Sequence, residues 1–185
     1  MLKVLFLCTG NSCRSQMAEG WTRHLRGDQI EPYSAGIEAH GLNPDAVRVM
    51  AEAGVDIAGQ RSKMVSELAG TEFDYVVTVC DNAHESCPRL PGKVKVIHAG
   101  FDDPPRLAAS AMTEQERLAP YRRVRDEICE FVRSLPDALR NKSDGKGHRR
   151  RYFADAAKPA FGEDVAVAAG APPRSHVVAD TATRE

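Results

Sequence analysis

Cys8 and Arg14 bracket the polar stretch Thr9-Gly10-Asn11-Ser12-Cys13, and Ser15 follows at once. The apolar run at 4–7 reads as a buried strand, and a helical pattern begins at Ser15. A strand that feeds a tight loop and then a helix N-terminus turns backbone N–H groups and partial positive charge toward one point. Thr9, Gly10, Asn11, Ser12, Cys13 and Arg14 are therefore expected to cradle a tetrahedral oxyanion, with the guanidinium as the charged wall. Gly10 and Asn11 are residue types that tolerate the positive φ of such a loop. In this field Cys8 is expected to be a thiolate near neutral pH, helped by the Ser15 hydroxyl. Cys13 reads as a small buried apolar residue rather than a redox group.

Two further sets of residues carry chemistry. Asp103 precedes Pro104, a step that biases it to extended backbone and can project its carboxyl over the cup as general acid. Asp102 competes for that role. Cys80 and Cys87 flank a stretch rich in Asp, Asn and Pro, and three readings stand side by side. In a thiol relay, Cys80 attacks sulfur at Cys8 and Cys87 then attacks Cys80. In a metal site, Cys80 and Cys87 join His84 and His98, although the spacing fits no common zinc pattern. In the third reading both thiols are inert and buried. Cys129 falls on the apolar face of the last helix and reads as core.

The elements that must position these groups alternate. Strands are expected at 2–7, 31–35, 74–79 and 94–97, with helices at 15–26 and from the Asn43-Pro44 cap and start to Gly54. Ser62 is expected to cap a shorter helix through Leu68. Residues 81–92 and 100–105 read as loops. Thr113 and Glu116 make a capping box for a last helix, interrupted near Pro120 and resuming through Val124, Ile128, Phe131 and Val132. This alternation predicts an α/β fold, a small parallel sheet with helices on both faces. Ligands of such sheets sit at the carboxyl ends of strands, which is where Cys8, Cys80 and Asp103 fall.

Composition limits the alternatives. Of 185 residues 28% are charged, and the net charge of −1 gives no bulk drive toward nucleic acid or an anionic membrane. No apolar run approaches the roughly 20 residues of a membrane span. Five cysteines are an odd count without a secreted disulfide framework, so a cytoplasmic protein is expected, and a monomer is expected as its state. Residues 1–140 read as one domain. Residues 141–185 turn polar and then rich in Ala, Gly and Pro, and read as a disordered tail whose Arg149-Arg150-Arg151 run is a solvated charge cluster.

The segment Cys-Thr-Gly-Asn-Ser-Cys-Arg-Ser-Gln-Met-Ala-Glu-Gly at 8–20 resembles the thioredoxin-coupled arsenate reductases, which share the low-molecular-weight tyrosine phosphatase fold. The likeness continues through 33–38, 41–44, 76–80, Cys87-Pro88, 100–104 and 123–127, and leaves the tail outside. It implies a phosphatase-like three-layer sandwich and reduction of arsenate to arsenite. Cys8 is then the nucleophile on arsenic, Arg14 the clamp, Asp103 the acid, Cys80 and Cys87 the relay, and thioredoxin the electron donor, with no cofactor. Glutaredoxin with glutathione is the competing donor. A tyrosine phosphatase is the runner-up function; phosphatases of this fold usually carry an aromatic where this chain has Pro105. A non-catalytic anion-responsive regulator is a third class, and a full set of nucleophile, clamp, acid and relay thiols argues against it. Some relatives hold potassium through residues matching Asn11, Glu19, Ser34 and an acidic side chain. Lys63 stands at that last position here, so its ammonium is expected to pair with Glu19 and no metal is expected.

Overall fold

A computed structural model describes residues 1–87, 90 and 92–141. The part of the tail expectation beyond residue 141 lies outside the described residues. Four parallel strands, β1 (Leu2–Cys8), β2 (Ile30–Gly36), β3 (Tyr75–Thr78) and β4 (Lys95–His98), form one sheet in the order β2-β1-β3-β4. Val4, Leu5, Phe6 and Leu7 are all fully buried, so both faces of the central strand are covered. The helices are α1 (Arg14–Arg26), α2 (Pro44–Glu52), α3 (Asp81–Glu85), α4 (Pro104–Leu107), α5 (Glu114–Arg133) and α6 (Asp137–Asn141). They flank the sheet on both faces, as expected of the three-layer sandwich. No described helix is long and apolar enough to cross a membrane.

Register explains how the site is assembled. Cys8 pairs with Gly36 at the end of β1, and Leu7 pairs with Thr78, two residues before Cys80. The N–H of Val79 donates to Leu7 O and that of Phe101 to Val79 O, which aligns the exits of β1, β3 and β4. Loops leaving parallel strands at one edge meet there.

Four local expectations need correction. Ser62 caps nothing: a 3₁₀ turn at Val65–Leu68 starts after Met64, where Glu67 closes back on the Met64 N–H, and the Ser62 hydroxyl donates to Gly10 O. Residues 81–85 are helical rather than loop, with Cys80 at the N-cap. The 100–105 stretch gives way to α4 at Pro104, since proline suits the first helical position. α5 runs without interruption through Pro120; the flanking turns bury Leu118, Tyr121 and Val124, and that packing outweighs one lost backbone hydrogen bond. The Thr113–Glu116 capping box forms as expected.

Gly36 marks the tightest backbone approach at the site. A Cβ there would lie 2.1 Å from Glu38 O, 2.7 Å from Thr9 O and 2.8 Å from Asn11 N, all backbone atoms that cannot swing aside. Gly36→Ala should therefore destabilise the protein by about 1–3 kcal/mol and weaken phosphate binding. Thermal melts with and without phosphate test this. Gly59→Ala, where nothing lies within 4 Å, should change neither.

Candidate active site

The loop after β1 is held open by its own carbonyls. Cys8 O, Thr9 O, Gly10 O and Ser12 O accept from the N–H groups of Ile37, Glu38, His40 and Asn43, and Asn11 O accepts from Gln16 Nε2. A loop whose carbonyls are bonded outward presents its N–H groups to the concave side. Asn11 sits at φ 45°, the only positive-φ non-glycine among the described residues. Its N–H lies 3.2 Å from Cys8 Sγ. Its Nδ2 donates to Ser15 Oγ at 3.0 Å and to Ser34 Oγ at 2.9 Å, and its Oδ1 accepts from Gln16 Nε2 and the Lys63 N–H. The Ser15 hydroxyl is 2.8 Å from Cys8 Sγ, as the sequence suggested.

Cys8 is buried, and burial pushes its thiol up from the ordinary value of 9.0. The Ser15 hydroxyl, the Ser15 N–H and the Arg14 charge pull it back down, while Cys80 works against them. The sequence-based expectation of a thiolate weighed the positive field and not the desolvation. Cys13 is buried, and its thiol is pushed up by the same cause, in keeping with a packing role.

Arg14 leans across the cup. Its Nη2 is 2.8 Å from Asp103 Oδ1, and its Nη1 donates to Phe101 O at 3.0 Å. Asp102 faces away and pairs with Arg123 at 2.8 Å, so only Asp103 of the two contacts Arg14. Behind the loop, Glu19 is buried between Arg23 at 2.5 Å, Ser34 at 2.5 Å and Lys63 Nζ at 3.8 Å. The Lys63–Glu19 pairing expected from the sequence is present.

The second thiol is close by. Cys80 is buried, and its Sγ lies 3.5 Å from Thr9 Oγ1. Asn82 Nδ2 donates to that same Thr9 oxygen at 3.1 Å. Cys87 is half-buried beyond the end of α3, and burial pushes its thiol up. The His84 and His98 rings stack with centroids 4.5 Å apart, and the Nδ1 atoms of both face Thr78 Oγ1, at 3.4 and 2.9 Å. Cys129 is core, as expected. Thus Cys8, Arg14, Ser15, Cys80 and Asp103 converge at one edge, and Cys87 lies one short helix away. Sequence reasoning passed over Gln16, Gln60 and Asn82. Gln16 is fully buried and receives Gln60 Nε2 at 2.6 Å. Nothing in the residue pattern distinguishes such amides from surface ones.

The arrangement can bind a tetrahedral oxyanion against a sulfur nucleophile with a carboxyl alongside. Because Ser15 holds the Cys8 thiol down, Ser15→Ala should raise it further and slow alkylation of Cys8 at pH 7 by about tenfold. The pH dependence of iodoacetamide labelling, followed at Cys8 by mass spectrometry, should move to higher pH.

Comparison with known proteins agrees with this geometry. Residues 3–144 match the low molecular weight phosphotyrosine protein phosphatase family. The arsenate reductase of Bacillus subtilis is 54% identical over 125 residues, 68% of this chain and 88% of that protein. A solved arsenate reductase in its phosphate binding state has a TM-score of 0.58 at 30% identity, covering 77% of this chain and 99% of the other. A low molecular weight protein tyrosine phosphatase from T. tengcongensis gives 0.57 at 28% identity, over 77% and 99% of the two chains.

Proposed function

We propose that this chain, which belongs to the low molecular weight phosphotyrosine protein phosphatase family and within it to the arsenate reductases, reduces arsenate to arsenite through a three-thiol relay. The observation that carries the reading is a second buried thiol, Cys80, hydrogen-bonded to the anion loop through Thr9. Hydrolysis of a phosphoester needs one thiol; reduction needs a pair to supply two electrons.

Arsenate lies in the loop against Arg14. The Cys8 thiolate attacks arsenic, and Asp103 protonates the departing hydroxide to water. The Cys80 thiolate then attacks Cys8 Sγ. The sulfur–arsenic bond breaks, its electron pair stays on arsenic, and As(V) leaves as As(III) while a Cys8–Cys80 disulfide forms. Cys87 attacks Cys80, which frees Cys8 and leaves Cys80–Cys87. The five-residue helix α3 stands between Cys80, its N-cap, and Cys87, two residues past its end, and the two thiols are free rather than bonded. In the proposed relay α3 unwinds for the last exchange, and the disulfide forms in a segment whose residues 81, 82 and 84–86 are exposed. A cytoplasmic dithiol protein of the thioredoxin type is the proposed reductant.

Arsenate-dependent NADPH oxidation with thioredoxin and thioredoxin reductase tests this. Turnover is expected in the wild type and should be lost in Cys8→Ser, Cys80→Ser and Cys87→Ser. Asp103→Asn should lose about 10²–10⁴ in rate. Turnover only with glutaredoxin and glutathione would replace the donor. Hydrolysis of p-nitrophenyl phosphate that is indifferent to Cys80 and Cys87, with no arsenate turnover from any donor, would make the protein a phosphatase.

A further inference from the structure

We propose that Asn82 is a positioning residue for Cys80: its amide turns the Thr9 hydroxyl so that the hydroxyl donates to the Cys80 sulfur. The inference rests on the relay proposed above and names a residue that the relay itself does not require. Thr9 Oγ1 has two neighbours, Asn82 Nδ2 at 3.1 Å and Cys80 Sγ at 3.5 Å. A hydroxyl carries one proton and two lone pairs, and an amide nitrogen only donates. Asn82 therefore occupies a lone pair, and the Thr9 proton is left for sulfur. A thiolate at Cys80 accepts that proton and has none to return.

The same device stands at the first thiol. Asn11 Nδ2 donates to Ser15 Oγ at 3.0 Å, and Ser15 Oγ is 2.8 Å from Cys8 Sγ. Each of the two sulfurs that join in the second step thus faces a hydroxyl whose direction an asparagine amide sets. The two asparagines differ in permanence. Asn11 is fully buried in the loop, whereas Asn82 is exposed on α3. It reaches Thr9 from a helix that is fastened by Asp81 Oδ1 to His98 Nε2 at 3.1 Å and by the stacked His84 and His98 rings. Cys80 is served while α3 is folded, which is when it must attack Cys8. Unwinding of α3 withdraws the amide once that attack is over and Cys87 approaches.

The test is the rate of Cys8–Cys80 formation in the Cys87→Ser protein after mixing with arsenate, quenched and read by mass spectrometry. Asn82→Ala should slow it by about tenfold, with phosphate affinity and Cys8 alkylation unchanged. Asn82→Asp should be slower than Asn82→Ala, because a carboxylate accepts the Thr9 proton and turns it from sulfur. In a Thr9→Val background, Asn82→Ala should add nothing. A wild-type rate in Asn82→Ala, or an equal loss with and without the Thr9 hydroxyl, would overturn the inference, as would Asn82→Asp matching the wild type. Alkylation of Cys80 at pH 7 in the Cys8→Ser protein reads the same hydrogen bond without any relay, and should fall in the same order. The relay fails separately if Cys80→Ser keeps arsenate turnover.

Discussion

The left-handed turn at Asn11 is the constraint on which the cup depends. That conformation costs an ordinary residue roughly 1–2 kcal/mol. A glycine would adopt it freely, yet would leave the loop without its interior. The Asn11 side chain uses both amide hydrogens and both carbonyl lone pairs, on Ser15, Ser34, Gln16 and the Lys63 N–H. Removing it would strand several buried polar groups at once, which costs more than the strain it relieves. The turn also aims the Asn11 N–H at Cys8 Sγ, so backbone strain and nucleophile geometry are one feature.

A conflict of charge follows from burying the nucleophile. Desolvation opposes a thiolate at Cys8, and the loop must offset it with fixed donors rather than with water. Glu19 adds a buried carboxylate behind the same loop. Ser34 links the two: it accepts from Asn11 and donates to Glu19, so the buried hydroxyl is satisfied in both directions. Arg23 and Lys63 set two cations against one carboxylate there, and Arg14 on the open side is paired with Asp103, so three cations face two carboxylates around the loop. A protein with a net charge of −1 thereby keeps a locally positive cup, a property that whole-chain composition conceals.

This explains what was legible in the sequence. The apolar run before Cys8 and the β-branched run before Cys80 fix two adjacent strands, and parallel strands deliver their exits to one edge. Cys8, Arg14, Ser15, Cys80 and Asp103 could be placed together on that ground alone. The Asp-Pro step and the family likeness favour Asp103 over Asp102, and the pairing of Asp102 with Arg123 supplies the physical reason that only the fold shows. Ser62 and Pro120 misled for a common reason: local preferences for caps and breaks yield to the tertiary contacts of Gly10 O and of the α5 core. The amides of Gln16 and Asn82 carry no local signature, since their roles exist only after distant segments meet.

The shortness of α3 is the part of the design least expected from residue types. Asp, Asn and His at 81–84 suggest a loop, and a five-residue helix in isolation would not persist. Its first residue and last turn lean on His98, and Asn82 bonds Thr9, while it buries only Ala83. In the proposed relay this balance has a use. A flexible loop would let Cys80 and Cys87 pair before any arsenate arrived, wasting the reducing equivalents. A long, well-packed helix would keep them apart permanently. A single marginal turn and a half, held by a few side-chain contacts to His98 and Thr9, stands between the thiols at rest and costs little to open once Cys80 is tied to Cys8.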